Sequence, residues 1–388
     1  MNIGSRLAAV LAAGLLAACG GGGGEGGGIG GTGTMHVSLT DAPSCGYDHV
    51  NVTIDRVRVH QSASAADADS GWSEVVLSPA RRVDLLTLSN GVLEDLGQTQ
   101  LPAGKYTQLR LVLAPNDAAH PLANSVVPTG GTETALTTPS AQQSGLKMNV
   151  DIDVAADKIA DVVLDFDACK SVVKRGNSGQ YNLKPVITVI PVLSDAGLRV
   201  IGYVDPALGT SSTQVSVQAA GVPVKATAPD ATGRFVLYPV PVGTYDLVVT
   251  SSGRVTAVMT GVPVVSTAFT TLNTAAIPIS PPVATLRSVN GTITPVTGTV
   301  RALQPLTGGP TVEVAWAAVD ALSGAFNFSL PIEAPVKTAY VANPPALAFT
   351  ADSAAAGKYT LEAASAGVVK TQQINASAVV PPVTFTIP

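Results

Sequence analysis

The sequence predicts a mainly β fold: an N-terminal antiparallel β-sandwich-like domain followed by two further β-sandwiches. Three observations carry this. Short alternating runs rich in Val, Ile and Thr recur between turn residues, which is the strand signature. The 38 Gly and 28 Pro among 388 residues leave little room for long helices. A three-part motif then occurs twice, in the same order, in the C-terminal half. Charged residues make up 13% of the chain against 46% apolar. Even so, past the N-terminus no 18-residue run lacks Gly, Pro and charge, so a multi-span helical membrane fold is excluded. A net charge of −5 argues against nucleic acid as a partner, because a binding face needs clustered Lys and Arg.

Residues 1–18 read as a signal peptide, with one basic residue, Arg6, and an apolar stretch over 7–18 that is too short to span a bilayer. The stretch ends in Leu16-Ala17-Ala18-Cys19-Gly20. This resembles the bacterial lipobox, in which small residues precede a Cys that is acylated and becomes the new N-terminus. The resemblance implies lipidation at Cys19 and a membrane partner held through acyl chains. Gly20 stands where an inner-membrane retention signal has Asp, which points to a lipid anchor in the outer membrane, facing the periplasm or the cell surface. Residues 19–33 are then the lipidated Cys and a tether. The eleven glycines among residues 20–33 form a coil of roughly 20 Å end to end.

With Cys19 acylated, Cys45 and Cys169 remain in an oxidising compartment. A disulfide would tie the start of the first domain to its end. Free thiols, or a metal site with His36 and His49, are the alternatives.

Residues 34–195 read as one β-domain. Within 50–59 the apolar positions change phase at Asp55-Arg56, as a β-bulge would require. Strands are expected over 72–77, 82–86, 105–113, 146–154, 160–166 and 181–192. A short helix is expected within 84–96, interrupted at Ser89-Asn90-Gly91, and residues 116–143 look like long loops. Val37-Ser38-Leu39-Thr40-Asp41-Ala42-Pro43, Val50-Asn51-Val52-Thr53-Ile54, Pro102-Ala103-Gly104-Lys105-Tyr106 and Leu183-Lys184-Pro185-Val186-Ile187 together resemble the domain of unknown function 4382 family over about residues 33–195. Its members are bacterial lipoproteins, so the resemblance bears on location and architecture and implies no activity.

The repeated unit spans 198–280 and 286–388. Val200-Ile201-Gly202-Tyr203 aligns with Val289-Asn290-Gly291-Thr292. Gly233-Arg234-Phe235 matches Gly324-Ala325-Phe326, and Gly243-Thr244-Tyr245 matches Gly357-Lys358-Tyr359. The pattern Gly-x-Phe-x-Leu, then Pro-x-Gly-x-Tyr-x-Leu-x-Val, resembles the carboxypeptidase-regulatory-like (transthyretin-like, Ig-like) β-sandwich, whose fold relatives include carbohydrate-binding modules. The second copy is degenerate, with Ala for the Pro before Gly357 and an insertion near 330–355.

Chemistry-bearing residues are few. Asp151, Asp153, Asp165 and Asp167 alternate with core positions and are expected on solvent faces. If their strands pair through a turn at 155–159, the four converge on a weak Ca²⁺ site; a solvated acidic face is the alternative. Trp72, beside a turn, is the one candidate for stacking a sugar. No HExxH or GxSxG is present, and Ser171-Val172-Val173-Lys174 lacks the partner motifs of penicillin-binding enzymes. A catalytic site is therefore not expected, and no cofactor beyond that Ca²⁺ is implied. The expectation is a non-enzymatic envelope module, structural or adhesion-type, with an unknown protein or glycan ligand. The alternative is a carbohydrate- or Ca²⁺-dependent binding lipoprotein.

Overall fold

A computed structural model describes residues 31–41, 46–138, 144–192 and 197–388. The signal peptide, Cys19, most of the tether and Cys45 lie outside the described residues. The first unit contains β1 (Thr32–Asp41), β2 (Tyr47–His60), β3 (Ser73–Asp84), β4 (Glu94–Pro102), β5 (Gly104–Leu113), β6 (Ser125–Pro128), β7 (Thr134–Thr137), β8 (Leu146–Val154), β9 (Ile159–Phe166), helix α1 (Ala168–Ser171), β10 (Val172–Lys174), β11 (Tyr181–Leu183) and β12 (Ile187–Val192). One sheet runs β12-β9-β1-β4; the other runs β10-β11-β7-β6-β2-β5-β8, with β3 also on β2. Their inner faces enclose a core that includes Leu39, Ile54, Leu109 and Phe166. The phase change at Asp55 is a bulge: the β2 register slips between Ile54 and Arg56 against both β3 and β5.

The sheets are mixed, which corrects the antiparallel expectation. β1 lies parallel to β9, and β11 lies parallel to β7. Residues 116–143 also hold more than loops, since they supply β6 and β7. The expected helix reduces to one turn, Leu85–Leu88, whose Leu86 amide is capped by the Asp84 side chain.

The second unit contains β13 (Val200–Tyr203), β14 (Thr213–Ala219), β15 (Val222–Thr227), β16 (Arg234–Leu237), β17 (Gly243–Ser251), β18 (Ala257–Val264) and β19 (Thr270–Thr271). The third contains β20 (Leu286–Thr294), β21 (Thr299–Pro305), β22 (Thr311–Ala317), β23 (Ala325–Pro331), β24 (Val336–Ala339), β25 (Thr350–Ala351), β26 (Lys358–Ser365), β27 (Val368–Asn375) and β28 (Val383–Thr386). Their topologies coincide. A three-stranded sheet β16-β13-β19 answers to β23-β20-β28, and β15-β14-β17-β18 answers to β22-β21-β26-β27.

The repeated residues explain this identity. Gly202 and Gly291 sit under Phe235 and Phe326: a Cβ there would lie 2.5 Å and 2.3 Å from the ring Cζ, so only Gly admits the ring. The Tyr245 hydroxyl donates to the Pro241 carbonyl (2.9 Å), closing the Pro-x-Gly-x-Tyr turn, and Tyr106 does the same to Pro102 (3.0 Å). In the third unit the Pro is missing, and Tyr359 donates to the carbonyl of Pro331 instead (2.6 Å).

The insertion of the third unit has a structural task. β24 pairs in parallel with β18 of the second unit, Ala257 opposite Val336 through Thr260 opposite Ala339, and β25 pairs with β24. The second unit's sheet is thus completed by its neighbour, and Val336 joins the second unit's core. A small apolar cluster, Val248 and Val258 with Leu306 and Val312, seals the two units further.

Candidate functional site

The three units meet at a junction built from charged side chains on strands that are otherwise apolar. β9 presents Asp165 away from the first unit's core, where it meets Lys225 of β15 at 2.6 Å; the two side chains are 9% and 1% exposed. Asp167 accepts from the Lys170 amide (2.9 Å), capping α1. The Lys170 ammonium lies 3.6 Å from Asp167 and 3.2 Å from Glu313 of β22. Arg301 of β21 joins Glu313 (3.2 Å) and Glu362 of β26 (2.8 Å). Lys170 also stands 4.9 Å above the Trp316 ring, a cation–π contact.

Burial here shifts ionisation. Desolvation raises the Asp167 carboxyl above the ordinary range, against the opposing pull of Lys170. Asp41, at the end of β1, is fully buried, and desolvation with the nearby Asp167 and Asp165 holds it well above its usual value, although its Oδ1 accepts from Ala168 N at 2.8 Å. For Arg301, desolvation is outweighed by hydrogen bonds to Glu362 and Glu313, which hold the guanidinium charged.

Two cavities of about 430 and 360 Å³ open on this junction and share Asp167, Lys170, Glu313 and Trp316. The larger is walled on the second-unit side by hydroxyls, among them Ser212, Thr213, Thr250 and Ser252, with Arg254 beside them. Such a surface offers hydroxyl donors and acceptors, two aromatic side chains, Tyr47 and Trp316, and charged groups of both signs.

The residues singled out from sequence fall differently. Asp151 and Asp153 lie on β8, in the sheet opposite the one that carries Asp165 on β9. The expected hairpin between these strands does not form, because β8 pairs with β5 and β9 with β1 and β12. Asp151 is instead exposed and paired with Lys105 (2.6 Å). Asp165 and Asp167 are not on a solvent face: both are taken up by lysines of the junction. The proposed convergence on Ca²⁺ is therefore corrected, and among the described residues no group of three or more His, Cys, Asp and Glu is placed to hold a metal.

Trp72 is likewise committed. Its ring lies under Arg58 (4.5 Å) and Arg110 (4.6 Å), packs on His60 at 5.1 Å, and donates from Nε1 to the Ala66 carbonyl (2.9 Å). Asp67 binds both arginines. Trp72 pins the loop between β2 and β3 rather than offering a free stacking face. Cys169 is disulfide-bonded; Cys45 lies outside the described residues.

Sequence reasoning missed Lys170, Lys225, Arg301, Glu313 and Glu362. The available signal was a single charge inside an apolar strand, as in Val224-Lys225-Ala226 and Val312-Glu313-Val314, in a chain with few charges.

Residues 32–185 match the family model described as Domain of unknown function (DUF4382). No curated protein gives a significant match. Among solved structures, the chain is similar to a chain of each of two type II cohesin–X-dockerin complexes from Acetivibrio cellulolyticus, both interface mutants. Identities are 23% and 28%, each with TM-score 0.19 over 23% of this chain and 60% of that chain. It is also similar to a streptococcal ancillary pilin, at 9% identity and TM-score 0.18 over 91% of this chain and 98% of that one. The match spans about 60% of the length of the cohesin–dockerin chains.

Proposed function

We propose that this chain is a non-enzymatic, outer-membrane-anchored lipoprotein that serves as a cell-envelope structural or adhesion-type binding module. One observation carries the reading: the third unit donates β24 and β25 to the second unit's sheet, and the first unit is clamped to both through Lys225 and Glu313. Three small sandwiches so interlocked make one stiff body, as presentation of a surface at the end of a tether requires. The lipobox-like Leu16-Ala17-Ala18-Cys19 and the glycine run supply the anchor in this reading, by the resemblance that suggested it. A Cys45–Cys169 disulfide belongs to the same proposal. It is supported by Asp41 and Ala168 being hydrogen-bonded, which brings the chain four residues before Cys45 to the start of α1.

Fractionation of cells carrying the full chain tests it. The wild type is expected in outer-membrane fractions and Cys19→Ala in the soluble fraction. A Cys19→Ala variant that stays with the membrane refutes the anchor.

A second reading, glycan binding, is favoured by the hydroxyl-walled cavity beside Trp316. A glycan array with the full chain, repeated with Trp316→Ala, addresses it; hits that survive the substitution remove the cavity from the reading.

A further inference from the structure

A third cavity, of about 290 Å³, opens where the first and third units meet. It shares only Lys170 and Trp316 with the hydroxyl-walled cavity. Its charge differs from that of its neighbours. The other two junction cavities are lined by cations and carboxylates together. Here the charged wall is cationic throughout, Lys170 and Lys184, with no carboxylate among the described residues.

Local sequence places Lys184 there. Tyr181 and Leu183 of β11 are buried in the first unit's core, so alternation turns Lys184 outward. The backbone is pinned to the end of α1: the Lys184 amide donates to the Ser171 carbonyl (2.7 Å), and the Val186 amide to Ser171 Oγ (2.9 Å). The Lys184 ammonium then reaches the third unit and donates to the Val296 carbonyl at 3.3 Å. The other lysines and the arginine of the junction each have a carboxylate: Lys170 has Asp167 and Glu313, Lys225 has Asp165, and Arg301 has Glu313 and Glu362. Lys184 has none among the described residues, and burial alone lowers its amine below the ordinary lysine value.

We propose that this cavity binds small carboxylates with an apolar body, the carboxylate paired with Lys184 and the body lodged against Val186, Val319 and the Trp316 ring. An ammonium has three donors, and the Val296 carbonyl takes one, which leaves two for a ligand. A half-buried cation without a counter-ion selects an anion. The remaining wall, which includes Val173, Val186, Ala317 and Val319, selects what that anion carries. A strongly hydrated ion such as phosphate would lose water against these side chains with too few donors to replace it. A carboxylate on an apolar body satisfies both the charge and the wall. At the ~30 Å³ that a water molecule takes up in the liquid, the cavity holds about ten non-hydrogen atoms, which sets the size of the ligand.

Ligand-observed NMR of the full chain with phenylacetate and with isovalerate, both small enough for the cavity, is expected to give Kd values of about 0.1–5 mM. Phenylacetamide keeps the body and removes the charge; inorganic phosphate keeps a charge and removes the body. Each is expected to bind about 10- to 100-fold more weakly than phenylacetate. Lys184→Met keeps the apolar stem and is expected to weaken both carboxylates by a similar factor. Lys158→Met, at an exposed turn outside the cavity, is expected to leave them unchanged. The amide and phosphate comparisons use the wild-type chain and so do not depend on how the Lys184 variant folds. Neither carboxylate binding up to about 20 mM, phenylacetamide or phosphate binding within about 3-fold of phenylacetate, or an affinity unmoved by Lys184→Met overturns the proposal.

Discussion

Replacing Lys225 by Met is the sharpest test of the junction. The side chain is 1% exposed and its ammonium lies 2.6 Å from an Asp165 carboxylate that is itself 9% exposed. Met keeps the apolar stem and removes the charge, which leaves a buried carboxylate without its partner. Breaking such a pair costs about 3–5 kcal/mol. The loss is therefore expected to be about 3–5 kcal/mol. The double variant Lys225→Met with Asp165→Leu removes both charges and is expected to recover most of the loss, because apolar replacement of a buried pair is often neutral or better. Urea unfolding of the full chain, followed by tryptophan fluorescence, measures all three. A single variant within about 1 kcal/mol of wild type, or a double variant no better than the single, would refute the reasoning.

Three further outcomes follow from particular contacts. Gly202→Ala drives a Cβ to 2.5 Å from the Phe235 Cζ and is expected to cost about 1–3 kcal/mol by overpacking. Combined with Phe235→Leu the losses should fall short of additive by about 1 kcal/mol or more, and additivity would place the strain elsewhere. Asp41 has a raised carboxyl pKa, from desolvation first, so above about pH 4 the folded chain holds a proton that the unfolded chain has released. Its contribution therefore falls as pH rises from there to the raised folded value, by up to about 1.4 kcal/mol per pH unit. Asp41→Asn should abolish that slope in denaturation curves between pH 4 and 7, and identical slopes would count against the assignment. Tyr245→Phe and Tyr106→Phe each remove a hydroxyl that donates to a proline carbonyl. Each should lower stability by about 1 kcal/mol in the same unfolding assay; no change would mean the turn holds without the bond.

What was legible in the sequence, and what was not, divides along one physical line. Features set by contacts within a strand pair or a turn were readable. The phase change at Asp55-Arg56 marks a real slip of register. The repeated Gly and Phe lie in contact in both copies, and the Ser89-Asn90-Gly91 interruption falls where the one-turn helix ends. Features set by a neighbouring unit were not. Alternation along β9 correctly turns Val162, Leu164 and Phe166 into the first unit's core and Asp165 away from it. The error was to equate that outward face with solvent, when Lys225 of the second unit covers it. Asn90 repeats the lesson. Its left-handed backbone (φ 60°) suits a turn, but its side chain accepts from Val236 N at 2.6 Å and its amide donates to Thr227 Oγ1 at 2.7 Å, so the turn docks the next unit.

The insertion near 330–355 is the clearest case of structure assigning a cause to an irregularity. In sequence it marked the second copy of the repeat as degenerate. In the fold it is the strand pair that completes the first copy's sheet, with Val336 buried in that neighbour's core. Degeneracy and interlocking are thus one event. Residues that depart from the repeat pattern in one unit do so because they obey the packing demands of the other. In a chain this poor in charge the same rule identifies the junction: a charge kept within an apolar strand, as at Lys225 or Glu313, is held by a partner on another unit, since an unpaired one would cost more than the strand's own packing returns.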